Sequence, residues 1–393
     1  MTAIIPVILG AAILVAGASL TYVVACIVVA WSWRRPEEEP PPSLLPAVTV
    51  LKPLCGVEPG LEENLRSFCE QTHPTFQILF GARSPDDPAL VVARRVAARF
   101  PGRDIRVLSG AVPLGANQKV NTLAHLVASA RHDLFVIADS DIRVGPTYLQ
   151  RVVAPLTDPS VGVVTCLYWG APTRTLWSRL GALAIDEWFL PSVLISRALG
   201  SSTFCSGATM AIRRDVLERI GGFAALAPVL ADDHELGRRV RELGLRSVIS
   251  RYEVATTVHE PGLEALVNHE LRWMRTVRTV EPIGHALCFV TYALPMTLLA
   301  ALVVGLFAPG HPWVVALPML AIVLRVTLHY TLDYVRRPVV HDRASVWLVP
   351  LRDLLSFTVW AASFASRRVQ WRQQAMRVRA DGVLRAAEEV TAA

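Results

Sequence analysis

Residues 1–33 contain no charged side chain, and no other feature limits the fold so strongly. From Ile4 to Trp33 the chain offers about 30 mostly apolar residues, more than the roughly 20 that a helix needs to cross a hydrocarbon core. A cleaved secretory leader would instead have a basic start and an apolar region of about 7–15 residues. Neither is present, so residues 1–33 read as a retained membrane anchor.

The excess of apolar residues is not confined to that end. Of 393 residues 52% are hydrophobic and 18% charged, against about 45–50% and about 25% in soluble domains. Residues 284–333 hold Arg325 and Asp333 as their only Asp, Glu, Lys or Arg. Spans are expected over about 285–307 and 312–332, joined by an uncharged Ala-Pro-Gly-His-Pro loop. A further apolar stretch, 345–366, is interrupted by Arg352 and Asp353 and reads as an interfacial or re-entrant helix, with a further true span as the alternative. Arg34 and Arg35 place the end of the anchor in the cytoplasm by the positive-inside rule, and the basic tail 367–393 belongs on the same side. A Pro- and Glu-rich linker, 34–46, then leads to a soluble block expected over 47–283, followed by a C-terminal membrane region over 284–366. The net charge of +6 suits an anionic bilayer surface. Nucleic acid is not an expected partner, because no basic run is interleaved with aromatic residues. The six cysteines show no CxxC spacing and read as small buried thiols.

Within the soluble block apolar runs alternate with amphipathic stretches. AVTVLKPL, FQILFGA, IRVLSG and DLFVIAD read as strands, and GLEENLRSFCEQ, PALVVARRVAARF and NQKVNTLAHLVASA as the helices between them. This order predicts a doubly wound, mainly parallel α/β sheet, whose ligands gather at the carboxyl ends of the strands. No GxGxxG follows the first strand and no GxxxxGK[ST] occurs, which argues against a dinucleotide or P-loop site. Instead, Asp139-Ser140-Asp141 follows the apolar strand Leu134–Ala138. Two carboxylates at the mouth of a buried strand repel each other unless something positive lies between them. A Mg²⁺ or Mn²⁺ ion shared with a diphosphate is the expected cation.

Four further pieces stand in order around this motif: Asp87 in RSPDDPALVVARR, NQKVNTL, Asp232-Asp233 in LADDHELG, and NHELRWMRTVR. Together with LKPLCGVEPGLEENL and CSGATMAIRRDVLERIGG, they resemble the inverting nucleotide-sugar glycosyltransferases of family 2 and, more closely, the ceramide glucosyltransferases. The likeness covers roughly residues 45–280. WFLPSVL at 188–194 and the ending PLRDLLSFTVWAASFASRRVQWR look most like the bacterial branch that glycosylates hopanoids.

The resemblance implies a GT-A-like, Rossmann-like fold and transfer of glucose or N-acetylglucosamine from a UDP-sugar to a lipid hydroxyl. The acceptor it suggests first is a bacteriohopanetetrol-type hopanoid, with ceramide as the alternative, in a bacterial inner membrane with the catalytic domain cytoplasmic. A processive polysaccharide synthase and a non-catalytic scaffold or lipid transporter are rival readings. By the same resemblance Asp139 and Asp141 hold nucleotide and metal, Asp87 meets the uridine, and Asp233 is the general base with Asp232 a lesser partner. Asp86 is the better candidate to cap the helix that begins at Pro88. Lys52 and Lys119 are expected near uracil or diphosphate, or as solvated surface lysines. Arg272 is expected at the diphosphate and Trp273 at the acceptor, though a basic helix touching lipid headgroups explains this stretch as well. His269 stands where the family has Gln or Arg, which leaves its acceptor-side role open. Trp188, with its neighbours Asp186 and Glu187, is a further acceptor-side candidate, and His259 reads as a strand-end histidine or a further metal ligand.

Overall fold

A computed structural model describes residues 4–33, 45–201, 205–336 and 345–366, with the backbone of 368–371, 374–378 and 384–386. Most of the linker 34–46, residues 337–344 and the side chains of the tail lie outside the described residues. The chain forms two compact units: 37–173 with 201–259 and 373–393, and 1–36 with 174–200 and 260–372. Residues 174–200 and 260–283, which the sequence reading grouped with the soluble block, therefore fold with the apolar helices.

The first unit is built on an eight-stranded sheet. Its strands are β1 (Val48–Leu54), β2 (Phe76–Ala82), β3 (Asp104–Ser109), β4 (Leu134–Ala138), β5 (Ile142–Arg143), β6 (Val161–Pro172), β7 (Thr209–Arg213) and β8 (Arg246–Val258), in the order β3-β2-β1-β4-β7-β6-β8-β5. The half formed by β1 to β4 is parallel, as expected. The other half is mixed: β7 runs against β4 and β6, and β5 runs against β8. β1, β2 and β4 are buried throughout, which their runs of branched and aromatic residues reflect, because helices cover both faces. Val50, Ile78 and Val136 face one apolar cluster with the helices Leu61–Cys69 and Pro88–Ala98. Their neighbours Leu51, Leu79 and Ile137 face a second cluster with Gln118–Val127 and Asp232–Glu242. The period-two alternation thus assigns each residue to a layer.

Among the described residues of the second unit, two helices are long and apolar enough to cross a membrane, Ile4–Ser32 and Trp313–Arg336. Leu20, Val23 and Ala30 of the former pack with Ala293, Ala321 and Leu328. The single span expected over 285–307 is instead broken: Pro282–Thr291 and Ala293–Phe307 meet at 69°. Tyr292 leaves helical geometry at the break. Pro295, three residues on, has no N–H to continue the ladder and disfavours helix in the residue before it. The 345–366 stretch forms a helix of 15 residues, Val349–Ser363, short of the roughly 20 needed to cross.

Several charges inside this unit are paired. Arg325 grips Asp353 with two bonds of 2.8 and 2.9 Å and reaches Glu187 at 3.3 Å. Glu187 also meets His329, Asp186 meets Arg336, and Arg352 holds Glu270 through bonds of 2.6 and 2.8 Å. Asp186, Glu187 and Trp188 lie on one turn of π-helix, Ile185–Phe189. Trp188, expected on the acceptor side, donates its indole N–H to Thr291 and stacks on Tyr292.

Candidate active site

The carboxyl end of β4 opens directly onto Asp139, and the loop that follows is fastened from three directions. Lys52, fully buried on β1, donates to the main-chain oxygens of Asp139 at 2.6 Å and Ile142 at 3.2 Å, with its ammonium 3.8 Å from the centre of the Phe68 ring. Burial lowers its pKa to about 7, against the pull of Asp141 and Asp139. Lys52 is thus no solvated surface lysine: two of its three N–H donors hold the backbone of the loop that carries Asp139 and Asp141. Asn64 donates to Ser140 O and to Thr257 Oγ1. On the other side Thr256 donates to the Asp141 carboxylate at 2.7 Å, and Thr257 N donates to Asp141 O at 2.9 Å.

Lys119 answers part of the electrostatic question posed by the sequence. Its ammonium lies 2.7 Å from Asp139 Oδ1, 3.8 Å from Asp232 Oδ2 and 3.4 Å from Gly207 O. Burial works against its charge, but Asp139, Asp232 and Asp233 together outweigh burial and lift its pKa above the usual lysine range. The side chain comes from the first turn of the helix Gln118–Val127. Asn117 caps that helix by accepting from Val120 N, while its amide donates to Val229 O and to Asp232 Oδ1 at 3.2 Å. The cap of one helix thereby holds the first carboxylate of the next.

Asp232 and Asp233 open the helix Asp232–Glu242, whose N-cap is Ala231, so neither carboxylate serves as its cap. Asp233 Oδ2 accepts from Gly207 N at 2.7 Å and Oδ1 from His234 N at 2.8 Å. Burial, followed by repulsion from Asp232, raises the Asp233 pKa above the ordinary aspartate range, while Lys119 and the two N–H donors moderate the shift. Asp139 is raised by burial and by Asp141 against the pull of Lys119, and 35% of its side-chain surface stays open. Asp141 is raised by burial, with Thr256 and Lys52 opposing and Glu58 adding.

Asp139 and Asp141 are hard oxygen donors, each destabilised as an anion by burial, which fits a divalent cation. No group of three or more His, Cys, Asp or Glu side chains able to hold a metal occurs among the described residues. The pair therefore fits an ion shared with substrate phosphates rather than an all-protein cage. His259 is engaged by Thr173 at 3.2 Å.

Asp87 lies at the carboxyl end of β2. It, and not Asp86, caps the helix Pro88–Ala98: Oδ1 accepts from Ala89 N, and both oxygens accept from Gly56 N at 2.9 and 3.1 Å. Pro88 at the first helical position makes the preceding residue the natural cap. Arg272, Trp273 and His269 lie on the helix Leu263–Val280 of the apolar-helix unit. Sequence reasoning gave no role to Asn117, Gly207, Thr256 or Asn64. Asn117, Gly207 and Asn64 stand inside the motifs quoted above.

This arrangement of sheet and carboxyl-end acidic loop belongs to the GT-A class of glycosyltransferase folds. A mannosyltransferase from Pyrobaculum calidifontis, solved with GDP-Man and Mn²⁺, superposes with a TM-score of 0.57 at 20% identity, over 91% of this chain and 98% of that one. The profile of glycosyl transferase family 21 matches residues 11–384, and the chain belongs to that family. Ceramide glucosyltransferase 1 of Caenorhabditis elegans is 25% identical over 65% of this chain and 55% of its own length, so the chain spans about half of that relative. Ceramide glucosyltransferase 3 of the same organism is 24% identical over 89% of this chain and 77% of its own length.

Proposed function

We propose that the protein transfers a hexose, with inversion, from a UDP-sugar to a hydroxyl of a membrane lipid. The observation that carries this reading is the single cluster in which Lys119 ties Asp139 to the buried Asp232 beside the half-buried Asp233. The names of the family 21 relatives support ceramide as the acceptor ahead of the hopanoid suggested by residues 188–194. Arg34 and Arg35 support a cytoplasmic catalytic unit.

Asp233 is assigned the proton of the acceptor hydroxyl. Its oxygens are held by Gly207 N and His234 N, and its raised pKa makes it a stronger base than an ordinary aspartate. As the acceptor oxygen bonds to the anomeric carbon, the bond from that carbon to the diphosphate breaks and UDP leaves. Asp139 and Asp141 would hold Mg²⁺ or Mn²⁺, which when bound neutralises charge on the diphosphate. Lys119 adds positive charge at the same place. Asp87, Arg272 and Trp273 are assigned by family likeness to the uridine, the diphosphate and the acceptor.

The test offers UDP-glucose and UDP-N-acetylglucosamine, each with ceramide and with bacteriohopanetetrol, to the purified full chain in detergent with Mg²⁺ or Mn²⁺. A labelled lipid from one pair identifies donor and acceptor. If no pair gives a labelled lipid, the proposal fails.

A further inference from the structure

By the family resemblance His269 stands where Gln or Arg is expected, and the structure supplies it with a partner outside the NHELRW motif. Its Nδ1 lies 2.7 Å from Glu260 Oε1. Glu260 is 5% exposed and its backbone is fixed: its carbonyl accepts from Thr175 and Ser178, and Ser178 Oγ in turn accepts from its N–H at 2.8 Å. A carboxylate can only accept, so the His269 nitrogen facing it must carry the proton. In the neutral ring this leaves the lone pair on Nε2. The side chain is 38% exposed, while its Nδ1 faces a buried group. One turn further along the helix, Trp273 meets the imidazole edge-on, with ring centroids 4.6 Å apart.

We infer that Glu260 and His269 form a carboxylate–imidazole dyad that receives the acceptor lipid, with His269 Nε2 accepting a hydrogen bond from a lipid hydroxyl and Glu260 acting as the positioning residue. Two features separate this pair from a plain helix tether. A tether needs no exposed ring, and the same ring braces the indole assigned to the acceptor. A glutamine side chain could accept the same bond through its carbonyl oxygen, whereas an arginine could not, so the dyad selects for a lipid that donates at this point. The inference rests on the lipid-acceptor reading above.

The experiment measures transfer from labelled UDP-sugar to ceramide at graded mole fractions in mixed micelles, alongside hydrolysis of the donor by water without lipid. His269→Ala is expected to raise KM for the lipid about tenfold, the scale of one lost hydrogen bond, with donor KM and donor hydrolysis unchanged. His269→Gln is expected to recover most of the loss, and Glu260→Gln to show a smaller rise in lipid KM. Thermal melting of each variant identifies any fold defect. If His269→Ala leaves lipid KM unchanged, or changes only donor KM or melting temperature, the dyad is structural and the inference is overturned. Lack of lipid transfer by the unaltered protein would instead remove the reading on which it rests, and the inference with it.

Discussion

Gly207 N–H donates to Asp233 Oδ2 at 2.7 Å, and a methyl group on Gly207 would sit 3.0 Å from that same oxygen. The backbone approaches the carboxylate so closely that only hydrogen fits without displacement. The same methyl would lie 3.4 Å from Lys119 Nζ.

Gly207→Ala is therefore expected to move Asp233 by a few tenths of an ångström. Transfer should fall about tenfold through misplacement of the base, with stability changed by less than about 1 kcal/mol. Parallel assays of kcat and thermal melting check this. Equal losses in both would show a folding effect instead.

Asp233→Asn is expected to lower kcat by about 10²–10⁴, the usual contribution of a general base, while donor binding measured by calorimetry survives. Stability should move the other way. A carboxyl whose folded pKa is raised binds its proton more tightly in the native state, so it costs stability as pH rises past the ordinary aspartate range. At neutral pH the Asn variant should melt no lower than the parent.

Asp232→Asn removes the like charge that helps to raise Asp233. The acid limb of kcat/KM should shift to lower pH. A limb that stays in place, or moves up, would assign the titrating group elsewhere.

Lys52→Met leaves the carbonyls of Asp139 and Ile142 without their buried donor. A loss of about 1–3 kcal/mol is expected below pH 7. Because the folded pKa of Lys52 is lowered from 10.5 to about 7, the unfolded chain binds the extra proton between those values. The parent protein should thus gain stability over that range, a slope that the Met variant loses. Denaturant titrations at several pH values measure both.

Arg325→Met strands Asp353 and Glu187 in an apolar surrounding. It should cost about 3–5 kcal/mol, the scale of a broken buried ion pair, seen as a lower melting temperature in detergent. Replacing all three residues by apolar ones of similar size should recover much of it.

The parallel half of the sheet was legible because burial on both faces writes long apolar runs into β1, β2 and β4. Asp139 and Asp141 were legible for the same reason, as charges directly after such a run. The mixed half was not, since strand direction leaves no periodic mark. The capping role of Asp87 was written in Pro88 and passed over for Asp86. Lys119 and Asp232 meet across 113 residues, and Gly207 acts through having no side chain, so neither contact leaves a local pattern. The segment 174–200 shows ordinary amphipathic spacing and gives no sign of folding with the apolar helices.

Glu187 emerges from the ribosome 138 residues before Arg325 and still earlier than Asp353. Until that arginine arrives, the growing chain carries Glu187, with Asp186 beside it, without this partner. A chain ending before residue 325 would lack the guanidinium that Glu187 meets in the complete fold.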